Sequence, residues 1–368
     1  MRIEISKETF LKNVGIAAKA ISARPTTPVL GNVLLKTQEG GVTLIGTNLD
    51  TTIKTWAPAK VVTEGEITVP ARTLLEFIST LIDESITIAV VQETAEIKSG
   101  KTEAKIPTIS AKEFPEPPRV MDAKASSVVK EDFLRAAKAV SIAASQDEGR
   151  PVLTGVLVKQ DGEKTLLVAT DGYRLASKEL KKMKLDEVII PARALVEAER
   201  IIGGLEEESL KINISSEDNL VVFSAGHIDY YTKLLAGEFP NVDSVIPKSF
   251  VTTMVINKEE LLNGIKTVNT FARDLGNVLR MNVSGEGEVK LLASSGQVGE
   301  GSVELAANKI EGQEIQIAFN SRYLSEGLTS IPGESVEIRF AGPTNPAQIK
   351  SPEDESFIYI VMPVRTQT

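Results

Sequence analysis

One stretch of the chain imitates a phosphate-binding loop, Ser99-Gly100-Lys101-Thr102. Such a loop needs a glycine five positions before Gly100, where Ala95 stands, and it needs a strand-to-helix turn. The residues around it predict lysine-rich strand, so this chemistry fails. Nucleophilic catalysis fares no better. Cysteine is absent and His227 is the only histidine, so any Ser-His relay would hang on one ring. Beside Gly226 in a strand-like run, His227 is expected at the surface. Carboxylates are scattered without ligand spacing, and Asp161-Gly162 and Asp171-Gly172 predict turns. No catalytic residue, metal or cofactor is implied.

The basic residues are more regular. Arg24 and Arg150 each stand shortly before a Pro-Val-Leu motif. Arg72, Arg193 and Arg322 open predicted helices. Lys12, Lys19, Arg135, Lys138, Lys266 and Arg273 lie off the apolar stripes of others. A net charge of −9 argues against a protein that grips DNA by its phosphates. The acids, however, crowd into loops such as Glu206-Glu207-Glu208 and Glu353-Asp354-Glu355. A basic helical layer with an acidic exterior is compatible with the total.

Three copies of one unit must position these residues. Thr9-Phe10-Leu11-Lys12 matches Asp132-Phe133-Leu134-Arg135, and Pro28-Val29-Leu30 matches Pro151-Val152-Leu153, both at an offset of 123. Val69-Pro70-Ala71-Arg72 matches Ile190-Pro191-Ala192-Arg193, and Glu113-Phe114-Pro115 matches Glu238-Phe239-Pro240. A fainter third copy begins near Glu260-Leu261-Leu262 and includes Asn320-Ser321-Arg322. Proline-rich connections place the boundaries at residues 1–121, 122–248 and 249–368. In the second copy Phe133, Leu134, Ala137, Val140 and Ala144 predict an amphipathic helix. A second helix is predicted to open on Pro191, with Leu195, Val196, Ile201 and Ile202 inward. Alternating strands include Val156 to Val158, Thr165 to Thr170, Leu210 to Ile214 and Leu220 to Ser224. The fold class is α+β, three repeated units of two helices on antiparallel sheet.

Two such chains would supply twelve helices. At about 10 Å spacing they close a circle about 38 Å across, which leaves a hole of about 28 Å after subtracting helix radii. A duplex of about 20 Å would pass through it. Unlike ends could close the ring. Residues 1–121 carry 14 basic and 14 acidic side chains, whereas residues 249–368 carry 10 and 15. A head-to-tail contact would set Lys98, Lys101 and Lys105 against Glu300 and Glu304. The alternatives are a repeat-built enzyme or a scaffold unrelated to DNA, the scaffold predicting a monomer or an open array. No apolar run reaches the roughly 18 residues of a membrane span. The chain is expected in the cytoplasm.

At Ala169-Thr170-Asp171-Gly172-Tyr173-Arg174-Leu175-Ala176 the sequence resembles the beta subunit family of bacterial DNA polymerase III. Ser22-Ala23-Arg24-Pro25 through Asn32 and the tail Tyr359-Ile360-Val361-Met362-Pro363-Val364-Arg365 extend the likeness over the whole chain. The resemblance implies a DNA clamp fold, a six-domain ring in a head-to-tail homodimer, and no catalytic activity, 3'-5' exonuclease included. It implies double-stranded DNA, the replicative polymerase, an ATP-driven clamp loader, and other polymerases and repair proteins as partners. A peptide groove is implied at Leu153, Thr170, Gly172, Tyr173, Arg174, Leu175, Pro240, Val245, Ile360, Met362, Pro363, Val364 and Arg365. Arg174 and main-chain groups would orient the peptide there. Tyr173 stands where the family frequently has histidine. DNA contact is implied near Arg24 and Arg150, and Ile106 and Phe271 are implied at the dimer interface.

Overall fold

The computed structural model describes residues 1–118, 125–181, 183–272, 276–296 and 299–365. One order of elements recurs three times. The first run is β1 Arg2–Ser6, α1 Lys7–Ala18, β2 Asn32–Gln38, β3 Gly41–Thr47, β4 Thr51–Pro58, β5 Lys60–Thr63, β6 Glu66–Pro70, α2 Ala71–Thr80, β7 Ser85–Val91, β8 Thr94–Ser99 and β9 Thr102–Pro107. The second is β10 Ser126–Val129, α3 Lys130–Ser141, β11 Gly155–Asp161, β12 Lys164–Thr170, β13 Arg174–Lys181, β14 Val188–Pro191, α4 Ala192–Ile202, β15 Ser209–Ser215, β16 Leu220–Ala225 and β17 Ile228–Lys233. The third is β18 Thr252–Asn257, α5 Lys258–Ala272, β19 Val278–Val283, β20 Glu288–Ser295, β21 Gly299–Ala306, β22 Lys309–Gly312, β23 Ile315–Asn320, α6 Ser321–Ser330, β24 Ser335–Phe340, β25 Ala347–Lys350 and β26 Phe357–Val361. Among the described residues only the second run lacks a counterpart of the short β5 and β22.

The chain forms two compact bodies that cut across the repeats. The first holds residues 1–131 and 197–234, the second residues 132–196 and 235–368. The cause is strand pairing. In the first body β4 pairs antiparallel with β17, giving one eight-stranded sheet in the order β10-β15-β16-β17-β4-β3-β2-β6. In the second, β13 pairs with β26, giving a nine-stranded sheet in the order β14-β11-β12-β13-β26-β25-β24-β18-β22. Each body adds a smaller sheet, β5-β1-β7-β8-β9 in the first and β21-β20-β19-β23 in the second. The expected boundary at 121 lies outside the described residues.

The first body shows why the helices lie where they do. Phe10, Val14 and Ala17 recur at helical spacing on α1 and are fully buried, packing on β3 and β4. Gly46 lets β3 approach the helix, because a Cβ there would overlap the Ala17 carbonyl. On α2, Ala71, Leu74 and Ile78 are buried, and the two helices pack on each other. Burying each large aliphatic or aromatic chain contributes about 1.5–3 kcal/mol. In the middle repeat Phe133, Leu134, Ala137, Val140 and Ala144 are all buried, as their spacing predicts. Two expectations change. Pro191 is the last residue of β14, and α4 begins at Ala192. An edge strand tolerates a proline there because no ladder N–H is needed on its open side. Val196 is half-buried, while Leu195, Ile201 and Ile202 are fully inward.

Candidate functional site

The hairpin between β12 and β13 is built by its own side chains. The Asp171 carboxylate accepts from the main-chain N–H groups of Tyr173 (2.9 Å) and Arg174 (3.0 Å). The Thr170 hydroxyl donates to the Arg174 carbonyl (2.6 Å) and accepts from the Gly172 N–H (3.1 Å). Gly172 has φ +92°, a conformation that costs glycine little. The first repeat contains the same turn. Thr47 accepts from the Leu49 N–H at 3.1 Å, and Asn48 accepts from Asp50 (3.0 Å) and Thr51 (2.8 Å). There Leu49, half exposed at φ +77°, stands in the place of Gly172.

Arg174 is a clamp inside the second body. Its side chain is 6% exposed, with Nε donating to Asp171 Oδ2 at 3.1 Å and Nη1 to Glu326. Its guanidinium lies 4.5 Å from the Tyr323 ring centre. Burial alone would raise the Glu326 carboxyl, but hydrogen bonds from Arg322 and Arg174 outweigh it and hold its pKa below the ordinary value. Tyr173, 60% exposed, stacks on Tyr323 with centroids 6.4 Å apart. Tyr359 donates its hydroxyl to the Tyr323 carbonyl at 2.8 Å. Arg174 Nε and Nη1 are thus taken up by the turn and by α6.

Beneath the turn lies an apolar floor. Leu175 and Ile360 face each other across β13 and β26 and are buried, with Leu157, Val168 and Val242 in the same cluster. They are core, so their part in a groove is to support it from below. Val245 is half-buried against this floor, Leu153 is half-buried, Thr170 is buried and Pro240 is exposed. The tail runs along the turn. Met362 donates its N–H to the Tyr173 carbonyl at 2.9 Å, and Val364 donates to Ala318 at 2.8 Å. Met362, Pro363 and Val364 are half-buried and Arg365 is exposed. The second body thus brings Thr170, Gly172, Tyr173, Arg174, Leu175, Ile360 and Met362 together at one turn, with Val245 packed on the floor beneath. Sequence reading missed Val152, Leu235, Phe239, Ile246 and Ile358, half-buried on the same floor, although Phe239 belongs to a repeated landmark.

The expected DNA-facing residues Arg24, Arg72, Arg135, Lys138, Arg150, Arg193 and Lys266 are all exposed. Arg72 pairs with Glu76 at 2.9 Å. Arg150 reaches Asp147 at 3.6 Å and the Asp171 carbonyl at 3.5 Å, so it also braces the hairpin. Arg273 lies outside the described residues. His227 occupies the β16–β17 turn, half-buried, and burial lowers its pKa. Gly100 and Lys101 form a hairpin turn between β8 and β9, which removes the phosphate-loop reading on geometry.

The expected interface residues fall on two sheet edges, except Phe271, which lies on α5. Lys105 and Ile106 lie on β9, with Lys101 in the turn before it; Glu300 and Glu304 lie on β21. Lys105 already pairs with Glu96 at 2.8 Å, and Glu304 with Lys290 at 2.8 Å. Ile106 is buried in the core of its own body. Phe271 covers Gly301 of β21, where a Cβ would overlap its ring.

Comparison with known proteins agrees with this arrangement. Residues 1–118, 127–241 and 243–365 match the N-terminal, central and C-terminal domains of the DNA polymerase III beta subunit. The beta sliding clamp of Bacillus subtilis is 29% identical over the full length of both chains, and that of Staphylococcus aureus 28%. Among solved structures, the Bacillus subtilis DNA polymerase sliding clamp superposes with a TM-score of 0.95 at 27% identity, covering both chains completely. A Pseudomonas aeruginosa sliding clamp bound to griselimycin gives 0.94 at 26%, again over both chains. From first residue to last, then, the chain belongs to the family of DNA polymerase III beta subunits, the beta sliding clamps.

Proposed function

We propose that two copies close head to tail into a ring around duplex DNA and so keep the replicative polymerase processive. Each copy divides at 1–121, 122–248 and 249–368. The ring confines the duplex without gripping it, which suits a chain of net charge −9. The exposed helix cations Arg72, Arg135, Lys138, Arg193 and Lys266, with Arg24 and Arg150 from loops, line the hole. Short segments of the polymerase, the clamp loader and repair proteins dock beside the Tyr173 turn, over the Leu175–Ile360 floor and against Met362 to Arg365. The chain acts in the cytoplasm and has no catalytic role of its own. Among the described residues no helix is long and apolar enough to cross a membrane.

One observation carries the closure. Among the described residues strands β9 and β21 each have a neighbour on one side only, so each offers unpaired main-chain groups to another strand. Their charges are unlike. Among the described residues neither Lys101 nor Glu300 has an ion-pair partner, whereas Lys105 and Glu304 are already paired within the chain. Lys101 and Glu300 are therefore the pair free to set register across the contact.

The cysteine-free sequence allows a clean test. A Lys101→Cys, Glu300→Cys chain treated with a short bis-maleimide should give a covalent two-chain species. Monomer alone, or an open ladder of higher species, rejects head-to-tail closure. The groove is tested separately: a Gln-x-x-Leu-type peptide should bind the whole chain and lose binding when residues 362–368 are deleted. Equal binding by the truncated chain rejects the groove.

A further inference from the structure

Each repeat opens its first helix with a lysine, and the three lysines make the same two contacts. The main-chain N–H groups of Lys7, Lys130 and Lys258 donate to the carbonyls of Glu84, Glu208 and Glu334, each at 2.8 Å. Their ammonium groups donate to the carbonyls of Leu81, Leu205 and Ile331, the last at 3.0 Å. The side-chain contacts span 74, 75 and 73 residues of chain. Leu81 and Ile331 are the C-caps of α2 and α6, and Leu205 follows α4.

Carbonyls at a helix C-terminus lack intrahelical donors and carry the negative end of the helix dipole. A lysine ammonium there supplies both a hydrogen bond and a favourable charge. Lys130 does so at 6% exposure, where an unpartnered lysine would be costly. Ordinary capping would explain one such contact. It does not explain the same residue in three repeats when the residue before it changes from Ser6 to Val129 to Asn257.

We infer that Lys7, Lys130 and Lys258 are positioning residues for the sliding surface, latching the start of each first helix to the end of the second. In the first body the latch fixes α1, which carries Lys12, against α2, which carries Arg72. In the second body it fixes α5, with Lys266, against α6, with Arg322. The inference rests on the proposed reading that these faces line the hole.

Lys258→Met in the full chain keeps the aliphatic stem and deletes the ammonium. Two readouts follow, native-state hydrogen exchange around residues 328–334 and retention time on closed circular DNA. Exchange should quicken at least about tenfold, the loss of one charge-assisted hydrogen bond. Retention should shorten and become more salt-sensitive while the dimer constant stays unchanged, and Lys258→Arg should restore both in part. Unchanged exchange overturns the latch. Faster exchange with unchanged retention overturns the positioning role. If the unmodified chain is not retained on circles, the ring reading fails, and the exchange data still judge the latch. Should Lys258→Met not fold, Lys7→Met in the other body gives the same two readouts around residues 78–84.

Discussion

Replacing Arg174 by methionine should loosen the second body far more than a surface substitution would. The change deletes a side chain 6% exposed and leaves two carboxylates behind, Asp171 at 11% and Glu326 at 32% side-chain exposure. Breaking a buried pair by removing one partner costs about 3–5 kcal/mol. Asp171 keeps its two main-chain donors and Glu326 keeps Arg322 at 2.8 Å, so the lower end, about 3 kcal/mol, applies here. That corresponds to exchange about a hundredfold faster for amides of β13 and β26. Trp56, the only tryptophan, sits on β4 in the first body and serves as an internal control. Its urea-dependent fluorescence should change little. Adding Glu326→Gln to the variant should recover about 1 kcal/mol by removing one orphaned charge. Exchange within about threefold of the unmodified chain, a loss under about 0.7 kcal/mol, would refute the clamp assignment.

Two further outcomes follow from single residues. Leu49→Gly should stabilise the first body by about 0.5–1 kcal/mol, because a left-handed leucine costs more than the extra freedom of an unfolded glycine. Urea unfolding read at Trp56 checks this, and a lower midpoint would contradict it. Asp354 supplies a pH signature. Burial alone would raise its carboxyl, but Lys178 (2.7 Å) and Ser356 outweigh it and pull the pKa down to about 2. A depressed carboxylate stabilises fully above its unfolded value near 3.8, and that contribution fades as pH falls toward 2. Discounted for solvent screening it amounts to about 1 kcal/mol. The unmodified chain should therefore lose more stability between pH 5 and 2 than Asp354→Asn does; parallel pH curves would contradict it.

The repeats were legible because local signals repeat: an amphipathic stripe at Phe133 to Ala144, a turn at Asp171-Gly172, strands at Leu210 and Leu220. Strand partners were not. Nothing local in Thr51–Pro58 says that it pairs with Ile228–Lys233, since register between distant strands is settled by packing. The contact of Arg174 with Glu326 was hidden for the same reason, because the two lie 152 residues apart. Leu175 and Ile360 read as apolar strand residues, but that they pair across β13 and β26 and share one core cluster was not legible, because they lie far apart in the chain. The lysine latches were open to the eye, one per repeat at the first helical position. Only the carbonyls they reach needed coordinates.

Confinement is tested most directly by loading the chain on a nicked circular plasmid with a clamp loader, then cutting the plasmid once. The account predicts two chains per loaded ring, stable retention on the circle at moderate salt, and rapid loss through the free ends after cutting. Retention that survives linearisation, or that falls with salt equally on circles and linear DNA, would mean the protein grips DNA and does not encircle it.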